Sequence, residues 1–285
     1  MPIDPAQLLA LDIPEVIHAY TAKDTILYAL GIGLGQDATN DHQLRFVHED
    51  GLRSLPSMAC VLAHPPFWIR DYAKDVDWLK VVHGEQSFRI HAPLPAAGIM
   101  RSKLRVCEVI DKGEGKGALL VSERTLTDAE TDKCIATVTH SAFCRGDGGF
   151  SGGARRSPPA PEIPMRVPDI VCDLATRPEM ALLYRLSGDL NPLHVLPSYA
   201  RDAGYQQPIL HGLATFGIAG HAVLKTLCSY EPDRLVAMQG RFSAPVYPGE
   251  TVRTEMWQAG TIVSFRARVV ERDVIVIGNG RAELR

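Results

Sequence analysis

The sequence has no Cys-x-x-Cys pair; its six cysteines (Cys60, Cys107, Cys134, Cys144, Cys172 and Cys228) are scattered along the chain. None of its ten histidines falls into a His-x-x-x-His or His-Glu-x-x-His pattern. Without those spacings no metal site is expected, and the cysteines read as reduced thiols packed as small apolar residues. No apolar run approaches the roughly 18–20 residues of a membrane span. No excess of positive charge exists either. Thirty Lys and Arg stand against thirty-three Asp and Glu, a net charge of −3. Nothing in that balance favours nucleic acid or an anionic membrane surface as a partner. Met1-Pro2-Ile3-Asp4-Pro5 has neither the basic nor the apolar region of a signal peptide, and Ala282-Glu283-Leu284-Arg285 is not a Ser-Lys-Leu address. A cytoplasmic protein is the expectation.

A nucleotide cofactor is not expected. Gly31-Ile32-Gly33-Leu34-Gly35 has Gln36 where a dinucleotide fingerprint needs its last glycine, and the stretch before it reads as a helix rather than a strand. Thr21 or Asp24 would cap that helix and Gly31 would end it.

What the chain does contain is concentrated in Tyr184-Arg185-Leu186-Ser187-Gly188-Asp189-Leu190-Asn191-Pro192-Leu193-His194. Asp189, Asn191 and His194 fall on a segment interrupted by Gly188 and Pro192. Pro192 lacks an N–H and restricts Asn191, so a continuous helix is disfavoured and a turn is expected. A carboxylate and an imidazole on one fixed turn can share proton transfer. A helix C-cap followed by a polar loop is the competing reading.

Farther along, His211-Gly212-Leu213-Ala214-Thr215-Phe216-Gly217-Ile218-Ala219-Gly220-His221-Ala222-Val223-Leu224 is apolar nearly all round and has no acid. It reads as a helix buried on most sides. Its three glycines cost about 1 kcal/mol each relative to Ala, which points to close approach by another element. Gly212 falls in its first turn, where backbone N–H groups are free to meet a ligand.

The chain also repeats itself. Arg89-Ile90-His91-Ala92-Pro93 and Arg241-Phe242-Ser243-Ala244-Pro245 lie 152 residues apart. Each precedes three segments of alternating hydrophobicity: Lys103–Ile110, Ala118–Leu126 and Cys134–Phe143 in the first half; Thr251–Trp257, Thr261–Val270 and Val274–Leu284 in the second. Val81–Ile90 and Leu44–His48 read as further strands, and Leu55–Ala63 as a short apolar helix. The expectation is an α+β protein made of a duplicated unit. Residues 1–144 and 166–285 form the two repeats, and the Gly/Pro/Ser-rich stretch 145–165, with Gly152-Gly153 and Pro158-Pro159, links them.

Tyr184–His194 and Pro208–Gly217 together resemble the MaoC-like family, specifically its eukaryotic-type (R)-specific 2-enoyl-CoA hydratase 2 branch. That branch shows Y-R-L-S-G-D-x-N-P-L-H-x-D-P followed by P-I-L-H-G-L-x-T-F-G. One position departs: Leu196 stands where the family has Asp. An Asp before Pro197 would cap a helix and Leu cannot, a loss on the order of 1 kcal/mol in stability. The resemblance implies a double hot-dog fold, in which a sheet wraps a central helix that only the second repeat keeps, leaving the first to accommodate the acyl chain.

The resemblance also implies an enzyme that adds water reversibly to trans-2-enoyl-CoA, giving (3R)-3-hydroxyacyl-CoA. Asp189 and His194 would move the protons, and the Gly212 N–H would hold charge developing on the thioester oxygen. Asn191 would bind a water or a loop carbonyl, or simply hold the turn. His83, Gly84, Lys112 and Phe242 match acyl-CoA positions of the family, although without the resemblance Lys112 reads as an exposed turn lysine. His211 and His221 read as structural. Asp37 and His42 stand 152 residues before Asp189 and His194 but lack the surrounding motif, and read as loop residues or a decayed copy. No cofactor is expected beyond the CoA thioester, which is substrate, and a homodimer is expected. A hot-dog thioesterase and a non-catalytic acyl-CoA-binding protein are the alternatives.

Overall fold

The structure is a computed structural model that describes residues 3–151 and 162–285. The Gly152-Gly153 and Pro158-Pro159 pairs of the expected linker lie outside the described residues.

Among the described residues, ten strands form a single antiparallel sheet. They are β1 (Val16–Tyr20), β2 (Val81–Ile90), β3 (Gly98–Asp111), β4 (Ala118–Asp128), β5 (Cys134–Cys144), β6 (Ile170–Ala175), β7 (Leu235–Phe242), β8 (Thr251–Ala259), β9 (Ile262–Val269) and β10 (Val274–Leu284). The order across the sheet is β1-β3-β4-β5-β2-β7-β10-β9-β8-β6. From either edge inward the two halves therefore have the same topology. They meet at β2 and β7, with Phe88 opposite Met238. The duplication read from the two Arg-x-x-Ala-Pro stretches is this symmetry, and those stretches lie at the ends of the two central strands.

The halves differ in what lies on the sheet. The second carries the helix Gly212–Leu227, buried without interruption from Ala214 to Leu224. Close approach occurs at Gly217, where a Cβ would lie 2.7 Å from the Ile32 Cγ2; one on Gly220 would make an ordinary contact, 3.4 Å from the Met238 sulfur. Ile32 follows the helix Ala22–Gly31 of the first half, which begins as expected: the Asp24 carboxylate accepts from the Thr21 N–H at 2.8 Å and from its hydroxyl at 2.7 Å. At the same 152-residue offset, the central helix corresponds to residues 60–75 of the first half. That stretch contains only the five-residue helix Trp68–Tyr72.

The strand expected at Leu44–His48 is not one. Asp41–Leu44 is a short helix that continues into a turn. The Asn40 side chain accepts from the N–H groups of His42 and Gln43 at 3.1 and 3.4 Å, which starts the helix, and the Gln43 amide oxygen accepts from the Gly35 N–H at 2.9 Å. Local capping outweighs the alternation of a short apolar run. The expected helix at Leu55–Ala63 is a single 3-10 turn, Pro56–Cys60, entered through Pro56.

Candidate active site

The helix Met180–Tyr184 tightens into a 3-10 turn, Arg185–Ser187, and stops at Gly188, whose φ is +111°. A second 3-10 turn runs from Pro192 to His194. Asn191 joins the two: its side-chain oxygen accepts from the Leu193 N–H at 3.0 Å, and its own N–H donates to the Asp189 carboxylate at 3.1 Å. Asn191 therefore holds the turn, one of the two roles open to it in the sequence.

His194 Nδ1 lies 2.8 Å from the Ile209 carbonyl oxygen. A carbonyl only accepts, so Nδ1 carries the proton and the neutral ring keeps a lone pair on Nε2. Nε2 is 3.9 Å from the Asp189 carboxylate. The His194 side chain is 8% exposed and that of Asp189 is 50% exposed. Burial holds the His194 pKa below its ordinary value, against the opposing pull of the Ile209 hydrogen bond and the Asp189 charge. The pair thus combines a buried neutral base with a carboxylate open to the cavity.

His211 completes the group. Its Nε2 donates to the Asp189 carbonyl at 3.1 Å, and its ring stacks on that of His194. Burial, and then the neighbouring His194, push its pKa down to about 4. His211 thus orients the other two, in keeping with the structural role expected of it. His221 is likewise held from both sides, by the Ile32 carbonyl and the Tyr230 hydroxyl. Atoms of Asp189, His194 and His211 lie within 4.8 Å of one another, as the ligands of a metal would. The two ring nitrogens that bond to carbonyls carry protons and cannot be ligands, which leaves His194 Nε2, His211 Nδ1 and the Asp189 carboxylate as the free acceptors of the group.

Gly212 follows His211 and begins the central helix, so its N–H has no acceptor within that helix. The Phe242 ring packs on the Cα side of Gly212; a Cβ there would be 3.4 Å from Phe242 Cε1. The rings of Phe242 and His83 meet edge-to-face with centroids 4.6 Å apart, and those of His83 and His140 do so at 4.3 Å. Gly84 sits in a bulge where the pairing of β2 with β5 slips between His83 and Glu85. A Cβ there would be 3.1 Å from the Ser141 carbonyl oxygen, so the bulge favours glycine. His83 and Gly84 come from the first half, Gly212 and Phe242 from the second, and the fold places them together. Of His83, Gly84, Lys112 and Phe242, only His83 lines the cavity beside Asp189. Lys112 lies in the turn after β3, its N–H donating to the Gly117 carbonyl at 3.1 Å.

A cavity of about 680 Å³ runs inward from Ser187, Gly188 and Asp189. Met58, Trp68, Leu104 and Val138 line it farther in, where the first half has no long helix. Asp37 and His42 are not arranged as their counterparts are. Asp37 accepts from the Thr39 N–H and hydroxyl, and His42 stacks on Tyr230. The cavity also exposes three groups that the sequence reading passed over, His64, Arg124 and His140. The available signal was the position of Arg124 among the inward residues of an alternating strand.

Residues 18–146 match the family described as the MFE-2 hydratase 2 N-terminal domain, and residues 159–280 match the MaoC like domain. The 3-hydroxyacyl-thioester dehydratase Y of Mycobacterium tuberculosis is 38% identical, with 99% of each chain covered. The peroxisomal enoyl-CoA hydratase 2 of Arabidopsis thaliana is 36% identical, over 95% of this chain and 92% of its own. A MaoC-like dehydratase from Phytophthora capsici, known from its crystal structure, superposes with a TM-score of 0.86 at 31% identity, covering 98% of both chains.

Proposed function

The chain belongs to the MaoC-like family, in its two-part hydratase 2 form, and on that premise we propose that it adds water reversibly to trans-2-enoyl-CoA to give (3R)-3-hydroxyacyl-CoA. It is a hydro-lyase. The observation that carries the reading is the pair of His194, with its free Nε2 lone pair, and Asp189 at 3.9 Å, beside the start of the central helix.

The reaction needs three things. Water must lose a proton as its oxygen attacks C3, C2 must gain one, and the thioester oxygen must be stabilised as charge moves onto it. A water held between His194 Nε2 and the Asp189 carboxylate can lose its proton to the pair. The pair then returns a proton to C2, so neither residue is consumed. The Gly212 N–H meets the developing oxyanion, worth about 3 kcal/mol in comparable sites. Phe242 and His83 border the acyl group as it enters the cavity, and Lys112 contacts the CoA phosphates outside it.

Two finer points belong to the proposal. The chain works in the cytoplasm, a reading supported by its unpaired cysteines; no helix among the described residues is long and apolar enough to cross a membrane. It pairs as a homodimer, which would cover exposed apolar side chains such as Val171 and Leu182. Sedimentation at micromolar concentration decides the second point.

The reaction itself is tested by following the absorbance of the conjugated enoyl thioester with purified protein. Loss of absorbance without release of thiol, with the 3R product identified by chiral separation, is the expected result. Release of free CoA would indicate a thioesterase, and no change would indicate a binding protein.

A further inference from the structure

The wall of the cavity is not apolar throughout. On β4 the buried positions are Ala118, Leu120, Ser122, Arg124 and Leu126. The corresponding strand of the second half, β9, buries Val263, Phe265, Ala267 and Val269. A buried cation thus stands on the half that lacks the long helix, whereas the counterpart strand buries only apolar side chains.

Arg124 is 2% exposed. It donates to the carbonyls of Leu62 at 2.6 Å, Ala59 at 2.9 Å and Cys60 at 2.6 Å. Those bonds use three of the five donors of a guanidinium. Among the described residues no carboxylate lies within ion-pair distance of it. Three acids line the cavity, and each is already engaged. Asp24 accepts from Thr21, Glu123 pairs with Arg105 at 2.7 Å, and Asp189 belongs to the catalytic turn. A buried charge without a counter-charge is costly, and carbonyl dipoles offset only part of that cost.

His64 and His140 line the same cavity. Burial, and then the positive Arg124, hold the pKa of His140 down to about 4, so its ring is neutral near pH 7. The His64 side chain is solvent-accessible, and each ring can offer a hydrogen-bond donor or an acceptor. His140 also touches His83, which links this group to Phe242 and hence to the start of the central helix. A saturated hydrocarbon chain would leave these polar groups unanswered.

We propose that Arg124, His64 and His140 form an oxygen-binding subsite within the acyl cavity, so that the enzyme favours enoyl-CoA substrates whose acyl group carries a hydroxyl, keto or carboxylate oxygen over purely aliphatic ones. The inference rests on the hydratase reading of Asp189 and His194. It adds a chemical class of substrate that this reading alone does not name. The shared chemistry is an oxygen acceptor placed on the chain away from the thioester. Neutral and anionic oxygens both satisfy it and differ in how much they draw on the Arg124 charge.

The test uses the full chain and matched trans-2-enoyl-CoAs of hexenoyl, decenoyl and tetradecenoyl length. At each length the chain is unsubstituted, or carries a terminal hydroxyl, ketone or carboxylate. At the length that reaches the subsite, kcat/KM for an oxygenated chain should exceed that for the unsubstituted one by roughly tenfold, the worth of one hydrogen bond to a charged or buried group. Preference for the carboxylate assigns the leading role to Arg124; preference for the hydroxyl or ketone assigns it to the histidines. His64→Phe, His140→Phe and Arg124→Met should each reduce the ratio towards one. Arg124 also ties down three carbonyls, so if Arg124→Met fails to fold, the two histidine variants carry the comparison. An oxygenated-to-aliphatic ratio at or below one at every length in the wild type overturns the subsite, as does a ratio that all folded variants preserve. Absence of hydration on every chain, aliphatic ones included, overturns the hydratase reading instead.

Discussion

The imidazole of His211 lies face to face with that of His194, their centroids 3.7 Å apart and their planes 26° from parallel. The same His211 ring donates to the Asp189 carbonyl. One buried residue thus fixes the orientation of the base and the position of the acid's backbone. His211→Phe keeps a flat ring against His194 but removes that donor. We expect kcat to fall by roughly 10-fold to 100-fold, the usual cost of a small misplacement of reacting groups, with KM little changed. Unchanged kcat would show that the turn holds itself without His211.

Asp189→Asn and His194→Ala should each lower kcat by at least about 10²-fold with the fold intact by circular dichroism. Asp37→Asn and His42→Ala should have little effect, because Asp37 is tied to Thr39 and His42 is stacked on Tyr230. A comparable loss in the second pair would mean that the first half also does chemistry.

The sequence made the second half legible because its chemistry is local. Asp189, Asn191 and His194 share one turn, and Gly188 and Pro192 announce that turn. The six segments of alternating hydrophobicity became β3–β5 and β8–β10 because one face of each is buried and the other is not. The cavity was not legible residue by residue. His64, Arg124 and His140 come from a loop and two strands, and only strand pairing brings them together. Leu44–His48 misled because a run of five residues is short, and the Asn40 cap just upstream decides its conformation.

Acid should destabilise the protein before its carboxylates titrate. Burial holds His211 and His221 down to about 4, from an ordinary value of 6.5. Between those values the unfolded chain binds more protons than the folded one, so stability falls as pH drops. Above about pH 6.5 the effect vanishes. At about pH 5 each of these two fully buried rings costs up to about 2 kcal/mol. Carboxylates held low, such as Asp169 at about 2, act the same way only at lower pH. Urea midpoints compared at about pH 7.5 and about pH 5 check this, and equal midpoints would show that these rings are not held neutral.

Leu196 occupies the N-cap of the helix Pro197–Asp202 with φ −94° and ψ 117°, and its side chain makes no capping bond. The backbone is already in a capping conformation and Pro197 already fills the first helical position. Leu196 is also exposed, so replacing it removes little from the core. Leu196→Asp should therefore stabilise the fold by about 1 kcal/mol, with no loss of turnover. A lower denaturation midpoint would mean that Leu196 makes an apolar contact worth more than the cap.

Lys112 tests where the CoA lies. It stands in the turn after β3, outside the acyl cavity, where only the part of the substrate beyond the acyl group could reach it. Its contribution would be a charge–charge contact with phosphate, made equally in the bound substrate and in the transition state. Such a contact lowers KM and leaves kcat alone. Lys112→Ala should therefore raise KM several-fold for CoA thioesters at low salt while kcat stays within about twofold. Lys112 is half-buried, so solvent still reaches it, and the difference should shrink as ionic strength rises towards about 1 M, where the screening length is only about 3 Å. The same variant assayed on a truncated thioester without the nucleotide phosphates should match wild type at every salt concentration. A KM defect that persists on the truncated substrate would assign Lys112 to the turn's structure, and no defect on CoA thioesters at low salt would remove it from the substrate's path.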